Sequence, residues 1–399
     1  MTVGELMRAD LITVTKKDSF RQAMNLIRQQ GIRHLPVVDG KRLVGMVTDR
    51  DIRQAAPSAA TSLEIHELHY LLEKVTVWDV ACERQVEITG PDAFEFTNML
   101  TPRDLTKCEV GQCKYALITF EDGNIINDPI LLRLGEKHFW LSLSDGEVLL
   151  WAKGLAAGMG MNVEITEPDV SPMQVQGPRS KDVIGALFGD EVANLRYYYC
   201  AEASVDGIPA VVSRTGWTGE VGYEIYLRDG SRGDDLWDRV MEAGRPHDIR
   251  VTGPNEIRRV EAGIFNFRSD FTYEHNPFEI MGFERLVEEQ DADYMGKAAL
   301  ERVRAEGVER RLVGIEIDGD PHPHQPEEYW PALSGGERVG HVTAVVWSPR
   351  LERNIGFVWV PAALSEPGTA LDVEAPFGTL AARTAALPFV DPRKRIPLY

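Results

Sequence analysis

The residues able to do chemistry are spread thinly along this chain, and most read blandly when taken alone. Asp128 precedes Pro129 at the head of an apolar run, NDPILL, where an Asp before Pro forms a turn. Glu224 lies in SRTGWTGEVGYEIYL; by itself it would be an outward-facing strand carboxylate. Trp217 in that phrase and Tyr115 in CKYAL would pack in a core. Arg259 and Glu261 in RRVEAG stand two apart on a helix, so they do not share a face and each needs another partner. His322 and His324, with Glu327 and Glu328, have metal-binding side chains, but the polar, proline-rich GDPHPHQPEEYW reads as an exposed loop. Among Cys82, Cys108, Cys113 and Cys200, the one close pair is spaced C-x4-C with no second pair. That spacing favours buried free thiols over zinc, so no metal is expected.

The elements that must position these residues are set by a chain of 399 residues, 43% hydrophobic, with a formal net charge of -19. That length suits two to three domains of about 150 residues. An acidic surface repels phosphate backbones and anionic lipid, so neither nucleic acid nor membrane is expected as a partner. No stretch approaches roughly 18 uncharged apolar residues, and the N-terminus lacks a leader's apolar core. Few cysteines in a long chain fit a reducing compartment, and a cytoplasmic location is expected.

Up to about residue 57 the pattern is strand, helix, strand, strand, helix. SFRQAMNLIRQQGI opens on an N-cap serine and repeats apolar residues at helical spacing. HLPVVDGKRLVGMVTD predicts two strands around an Asp39-Gly40 turn. AAPSAATS reads as a linker, and SLEIHELHYLLEKV as an amphipathic helix. Mixed α and β patterns follow, with helices over PDAFEFTNML, DGEVLLWAKGLAAG, RSKDVIGALFG, DDLWDRVMEAG and GKAALERVRAEG. From about Arg311 the chain turns to short strands broken by Gly, Pro and Asp, which suits a small barrel.

The first 56 residues resemble a CBS module through VGELM, GIRHLPVVD and LVGMVTDRDIR. The resemblance implies that Thr48 and Asp51 would touch the ribose of an adenine nucleotide, a carboxylate accepting from both hydroxyls. Such modules work in pairs. A lone one leaves an apolar face uncovered, which points to a homodimer through this segment, either as a pairing fragment or as a nucleotide sensor.

From Trp78 onward the chain resembles the glycine-cleavage T-protein superfamily. WDVACERQVEITGPDAF, GQCKYALITFEDGNIINDPILL, VQGPRS, SRTGWTGEVGYEIYL, RRVEAG, NPFEIMGFERLV, SPRLERNIGFVWVP and LPFVDPRKRIP occur in the family's order. The resemblance implies an α+β fold in four parts. These are a partial CBS module (1–57), a linker helix and junction (58–77), a folate-binding domain lacking its N-terminal part (78–308) and a C-terminal β-barrel (309–399).

It also implies an enzyme that moves a one-carbon unit to tetrahydrofolate. Asp128 would be the catalytic carboxylate beside N5 and N10 of the folate, with Asn127 replacing a first acid. Glu224 would take the pterin's donor edge, and Trp217, Tyr115 and Arg259 would contact the folate. Glycine-cleavage aminomethyltransferases place an Arg where this chain has Asn255, which points instead to the dimethylsulfoniopropionate demethylase-like branch. The expected reaction is methyl transfer from a small donor such as a sulfonium. The alternatives are aminomethyl transfer, with a lipoyl carrier protein as partner, and a non-catalytic folate- or nucleotide-binding protein regulated by its CBS segment.

Overall fold

The computed structural model describes residues 12–15, 26, 34–40, 42–48, 68–143, 147–322 and 328–399. The chain divides into two compact units, 1–63 with 323–327, and 64–322 with 328–399.

In the first unit, β1 (His34–Asp39) and β2 (Arg42–Thr48) form the expected antiparallel hairpin, turning at Asp39 and Gly40. Gly40 sits at positive φ, the conformation such a turn requires. Val14 bridges to Val37 in parallel beside the hairpin. Thr48 closes β2, while Asp51 lies outside the described residues.

The second unit opens with a helix at residues 68–73 and β3 (Thr76–Asp79). In chain order there follow β4 (Arg84–Thr89), α1 (Ala93–Met99), β5 (Cys113–Tyr115), β6 (Ile118–Thr119), β7 (Ile125–Asn127), β8 (Ile130–Gly135), β9 (His138–Leu143), α2 (Glu147–Met159), β10 (Glu164–Thr166) and β11 (Ser171–Gln176). Next come α3 (Ser180–Phe188), α4 (Asp190–Ala193), β12 (Cys200–Val205), β13 (Ile208–Ser213), β14 (Gly222–Leu227), α5 (Gly233–Gly244), β15 (Arg250–Val251), α6 (Glu256–Glu261) and α7 (Lys297–Glu306).

Two sheets result, ordered β10-β4-β9-β8-β5 and β12-β13-β14-β11-β3-β15. Period-2 alternation gives each sheet one strongly apolar face. Val86, Ile88, Leu131, Phe139 and Leu141 of the first pack on α1 and α2. Val175, Val212, Tyr223 and Ile225 of the second pack on α3 and α5. The opposite faces meet through Leu132 and Trp140 from one sheet and Val211 and Tyr226 from the other. The layers therefore run helix, sheet, sheet, helix. Strand β3 lies inside its sheet, paired with β11 on one side and β15 on the other. The helix at 68–73 packs Leu71 on Trp78 and Val80.

The expected barrel closes in the order β16 (Arg310–Ile317), β19 (Arg353–Pro361), β18 (Glu337–Ser348), β17 (Trp330–Ser334), β20 (Ala370–Ala375) and β21 (Gly378–Ala385). It is tied to the sheets by buried polar contacts. Glu261 of α6 accepts from Ser348 Oγ at 2.6 Å and from Arg350 Nε at 3.0 Å. His275 stacks on Trp359, ring centres 4.2 Å apart, and its Nδ1 accepts from the Thr272 N–H at 3.0 Å.

Burial, aided by Arg310, holds the His275 imidazole down at a pKa of about 4, against an ordinary 6.5. His275 thus binds its proton less readily in the folded than in the unfolded chain between those values, and its contribution to stability falls as pH drops from 6.5 toward about 4. Thermal melts of wild type and His275→Gln across this range read that contribution: relative to neutral pH, the wild type should lose more stability than the variant as pH drops.

Candidate functional site

The faces that meet between the sheets are unusually polar. From β11 come Gln174 and Gln176, from β14 Glu224, from β4 Gln85 and from β9 Ser142, all buried. A buried polar group needs a partner, and these supply one another. Glu224 Oε1 accepts from Gln174 Nε2 at 2.8 Å, while Oε2 accepts from the Thr215 hydroxyl and, at 3.4 Å, from Tyr226. Burial raises the Glu224 pKa, and these three donors pull it back down.

The phrase SRTGWTGEVGYEIYL becomes the end of β13, a tight loop and β14. Gln176 anchors the loop. Its Nε2 donates to the carbonyls of Thr215 and Tyr223, and its Oε1 accepts from Thr218. The Gln176 side chain lies between Gly216 and Gly222, where an added Cβ would come within 2.2 Å of it. The loop presents Trp217, whose backbone N–H donates to Gln174 Oε1 at 3.3 Å. Arg259 stands beneath, its guanidinium 5.6 Å from the Trp217 ring.

At a second position, the hydroxyl of Tyr115 donates to Asp128 Oδ2 at 2.8 Å. Burial, and then the Asp128 carboxylate, push the Tyr115 pKa well up, so it remains a donor. Asp128 follows β7, its N–H donating to Asn127 Oδ1 at 2.9 Å. Tyr198 packs against a cluster that includes Cys113 of β5, the strand of Tyr115, and Tyr226 of β14, the strand of Glu224. Its φ of 62° is uncommon for an aromatic residue. Backbone bonds from its N–H to Arg214 and from Cys113 to its carbonyl hold it there.

The structure thus gathers Glu224 and Trp217 around Gln174, with Arg259 under Trp217, and holds Tyr115 and Asp128 together at a second position. Arg259 is committed to protein partners. Glu256 accepts at 2.9 and 2.7 Å, Asp270 at 2.6 Å and the Ile264 carbonyl at 2.9 Å. Its geometry is that of a support under Trp217. Asn255 caps α6 by accepting from the Arg258 N–H at 2.9 Å. Glu261 serves the barrel junction. His322 packs on Trp330 and Phe377, while His324 and Glu327 lie outside the described residues. Cys108, Cys113 and Cys200 are buried free thiols and Cys82 is exposed. Among the described residues there is no metal-holding cluster, and no helix is long and apolar enough to cross a membrane.

Comparison with known proteins agrees with this architecture. The family described as GCVT N-terminal domain matches residues 53–291, and the glycine cleavage T-protein C-terminal barrel domain matches 310–391. The chain belongs to the glycine-cleavage T-protein family. It is an enzyme of this tetrahydrofolate-dependent transferase family, with a CBS domain matching residues 3–58. The dimethylsulfoniopropionate demethylase of Ruegeria pomeroyi is 38% identical over 81% of this chain and 87% of its own length. An aminomethyltransferase of Symbiobacterium thermophilum is 31% identical over 83% and 90%. Among solved structures, the aminomethyltransferase T of Bartonella henselae shares the fold, with a TM-score of 0.73 at 22% identity over 82% of this chain and 90% of that one.

Family membership implies a bound folate, and the site's residues fit a flat ring with a donor edge. Glu224 and Gln174 form an acceptor wall, and no donor among the described residues reaches the buried Oε1 of Gln85. Trp217, bonded through its backbone to Gln174, is a half-buried aromatic, as are Tyr197 and Tyr198. A separate cleft of about 620 Å³, lined by Asp104, Glu288, Asp291, Lys297 and Arg304, holds none of these residues.

Sequence reasoning missed Gln174, Gln176 and Tyr198. The two glutamines had a signal, since SPMQVQ alternates polar with apolar on a strand buried on both faces.

The glycine clamp is directly testable. Gly222→Ala must displace Gln176 and should cost on the order of 1–3 kcal/mol. Gly233→Ala, at the start of α5 with open space around it, should instead be neutral or stabilise by about 0.5–1 kcal/mol. Denaturant melts of the two variants check the contrast.

Proposed function

We propose that this enzyme transfers a methyl group from a small donor of the sulfonium class to tetrahydrofolate. The observation that carries the reading is a buried acceptor, Glu224, together with a tyrosine-held carboxylate, Asp128. Glu224 would accept from the 2-amino group and N3–H of the pterin, a two-donor edge that suits a carboxylate. Trp217 and Tyr198 offer aromatic faces to its ring. Bound there, tetrahydrofolate supplies the nitrogen that takes up the carbon.

Asp128, fixed by Tyr115, balances the positive charge that grows at that nitrogen as the carbon arrives. A sulfonium methyl is already activated and its thioether leaves neutral, so the chain need supply no strong acid. Its task is to align donor and acceptor.

Asn255 supports methyl over aminomethyl transfer. The aminomethyl branch carries a cation at this place, whereas here a buried neutral side chain is spent on capping α6. The similarity to the dimethylsulfoniopropionate demethylase points the same way.

For the CBS segment we favour a pairing role between two copies, supported by the exposed Leu43 and Met46 on β2. Its alternative role is to hold an adenine nucleotide through Thr48 and Asp51. Light scattering should give a dimer that Met46→Glu dissociates; an unchanged mass would defeat the pairing role.

Calorimetry under anaerobic conditions should show saturable tetrahydrofolate binding. Glu224→Ala should weaken it by about 1.5–3 kcal/mol, the range for hydrogen bonds to a charged group. Asp128→Ala should lower turnover on the order of 100- to 1,000-fold. A donor screen of sulfonium, amine, aryl-ether and aminomethyl-lipoyl substrates identifies the donor. Binding that is indifferent to Glu224→Ala would sink the assignment.

A further inference from the structure

The residue just before Thr215, the threonine that donates to Glu224, is a buried arginine. Arg214 is 6% exposed, and a guanidinium so enclosed must be met by acceptors. Among the described residues no carboxylate pairs with it, and carbonyls meet it instead. Nη1 donates to Leu195 at 2.9 Å, while Nη2 gives one hydrogen to Pro397 at 3.2 Å and the other to Tyr399. One face of the group lies over the Tyr223 ring, 6.0 Å from its centre. Two of these three acceptors come from beyond the barrel.

The segment that brings them, residues 386–399, is anchored in steps. Leu387 and Phe389 pack on the cluster of Phe265 and Phe357. The Val390 N–H donates to the Glu261 carbonyl at 2.9 Å. Asp391 then turns the chain: its Oδ2 accepts from the Ile396 N–H at 2.7 Å, and its carbonyl from the Lys394 N–H at 2.8 Å. A single helical turn follows, Ile396–Leu398. Carbonyls at the end of such a turn have no partner within it, and Arg214 supplies their donors. Pro397 is buried, but the side chains of Leu398 and Tyr399 are exposed. Main-chain bonds to Arg214, rather than apolar burial, therefore hold the last part of this turn.

On its other side Arg214 is tied to the site. Its N–H donates to the Tyr199 carbonyl at 2.8 Å, and its carbonyl accepts from the Tyr198 N–H at 3.0 Å. Thr215, the next residue, donates to Glu224, and Trp217 follows two residues later with its N–H on Gln174.

We propose that Arg214 is a positioning residue of the transferase site. The segment after the barrel, turned by Asp391, anchors Arg214, and Arg214 fixes the loop that brings Thr215 to Glu224 and presents Trp217. The consequence for folate rests on the reading given above; the mechanical linkage does not.

Hydrogen exchange of the unliganded full chain reads that linkage. The Leu398 and Tyr399 amides, bonded to Arg395 and Ile396, report on the segment, and the Trp217 amide reports on the loop. In Arg214→Met both should exchange about tenfold faster or more, because bonds to a charged group are lost at both ends. Asp391→Ala touches neither Arg214 nor the loop, and should speed both by about 5- to 10-fold, the worth of roughly one hydrogen bond. Asp391→Asn keeps an acceptor and tolerates the left-handed φ of 54°, so it should match wild type.

Amides of β16 and β19 should keep their wild-type rates in all three variants. Tetrahydrofolate affinity should fall by about 5- to 10-fold in Asp391→Ala and hold in Asp391→Asn. Should Arg214→Met not fold, the two Asp391 variants decide alone. The proposal is overturned if Asp391→Ala leaves the Leu398 and Tyr399 amides protected, or frees them while the Trp217 amide or the affinity stays at its wild-type value. Faster exchange in the barrel strands as well would also overturn it, because the role would then be structural only. Titration of wild type keeps the two readings apart: no tetrahydrofolate binding defeats the folate reading, while exchange still decides the linkage.

Discussion

A carboxylate enclosed between two sheets must be met by donors, because an unpartnered charge there costs far more than any fold can spare. Glu224 imposes this condition, and the surrounding architecture answers it. Gln174 must stand opposite on β11, Thr215 just past the end of β13, Tyr226 two residues along β14, and Gln176 must hold the loop that carries Thr215. The polar inner faces, the helices that cover the apolar outer faces and the glycines that admit Gln176 all follow from that one enclosed charge.

A second group of charges keeps the two sheets registered against the barrel. Arg258 of α6 donates to Glu220 at 2.7 Å, and Arg350, on the turn between β18 and β19, reaches both Glu220 and Glu261. The neighbouring Arg259 is held by Glu256 and Asp270, and Asp270 also accepts from Thr343 of β18. Buried ion pairs of this kind contribute little net stability but are costly to break singly. They fix the level at which α6, and so the support under Trp217, stands relative to β14. The tail closes the arrangement, since Val390 donates to the Glu261 carbonyl and Arg214 reaches the carbonyls of Pro397 and Tyr399.

Much of this was legible in the sequence. The ordered phrases pointed to the α+β body and the barrel, and the helix and hairpin patterns around PDAFEFTNML, RSKDVIGALFG and HLPVVDGKRLVG matched what formed. Strand β11 was harder to see, because Pro172 and two glutamines disguise a central strand as a polar turn. Pro172 is tolerated since its carbonyl accepts from Val80 and its missing N–H falls near the strand's start. Strand β17 was hidden in a similar way, by a proline-rich approach. The motif phrases located Glu224, Trp217, Tyr115 and Asp128, but they could not say who partners them. Gln174 comes from a distant strand, and Tyr198 from a connection with no pattern of its own. Arg259 was legible as important and illegible as to role, because its partners Glu256 and Asp270 are defined only once α6 and the following loop have folded.

The clamp around Gln176 bears on how such a chain can change over evolutionary time. Gly216 and Gly222 are barred from gaining a side chain only while Gln176 fills the space between them. Loss of the Gln176 side chain would lift the steric bar at both glycines, yet it would also release the carbonyls of Thr215 and Tyr223 and the hydroxyl of Thr218. The three positions are therefore epistatic. Change at either glycine becomes accessible only after a costly first step at Gln176, so descendants should explore Trp217 and the outer strand faces long before they alter the loop that carries it.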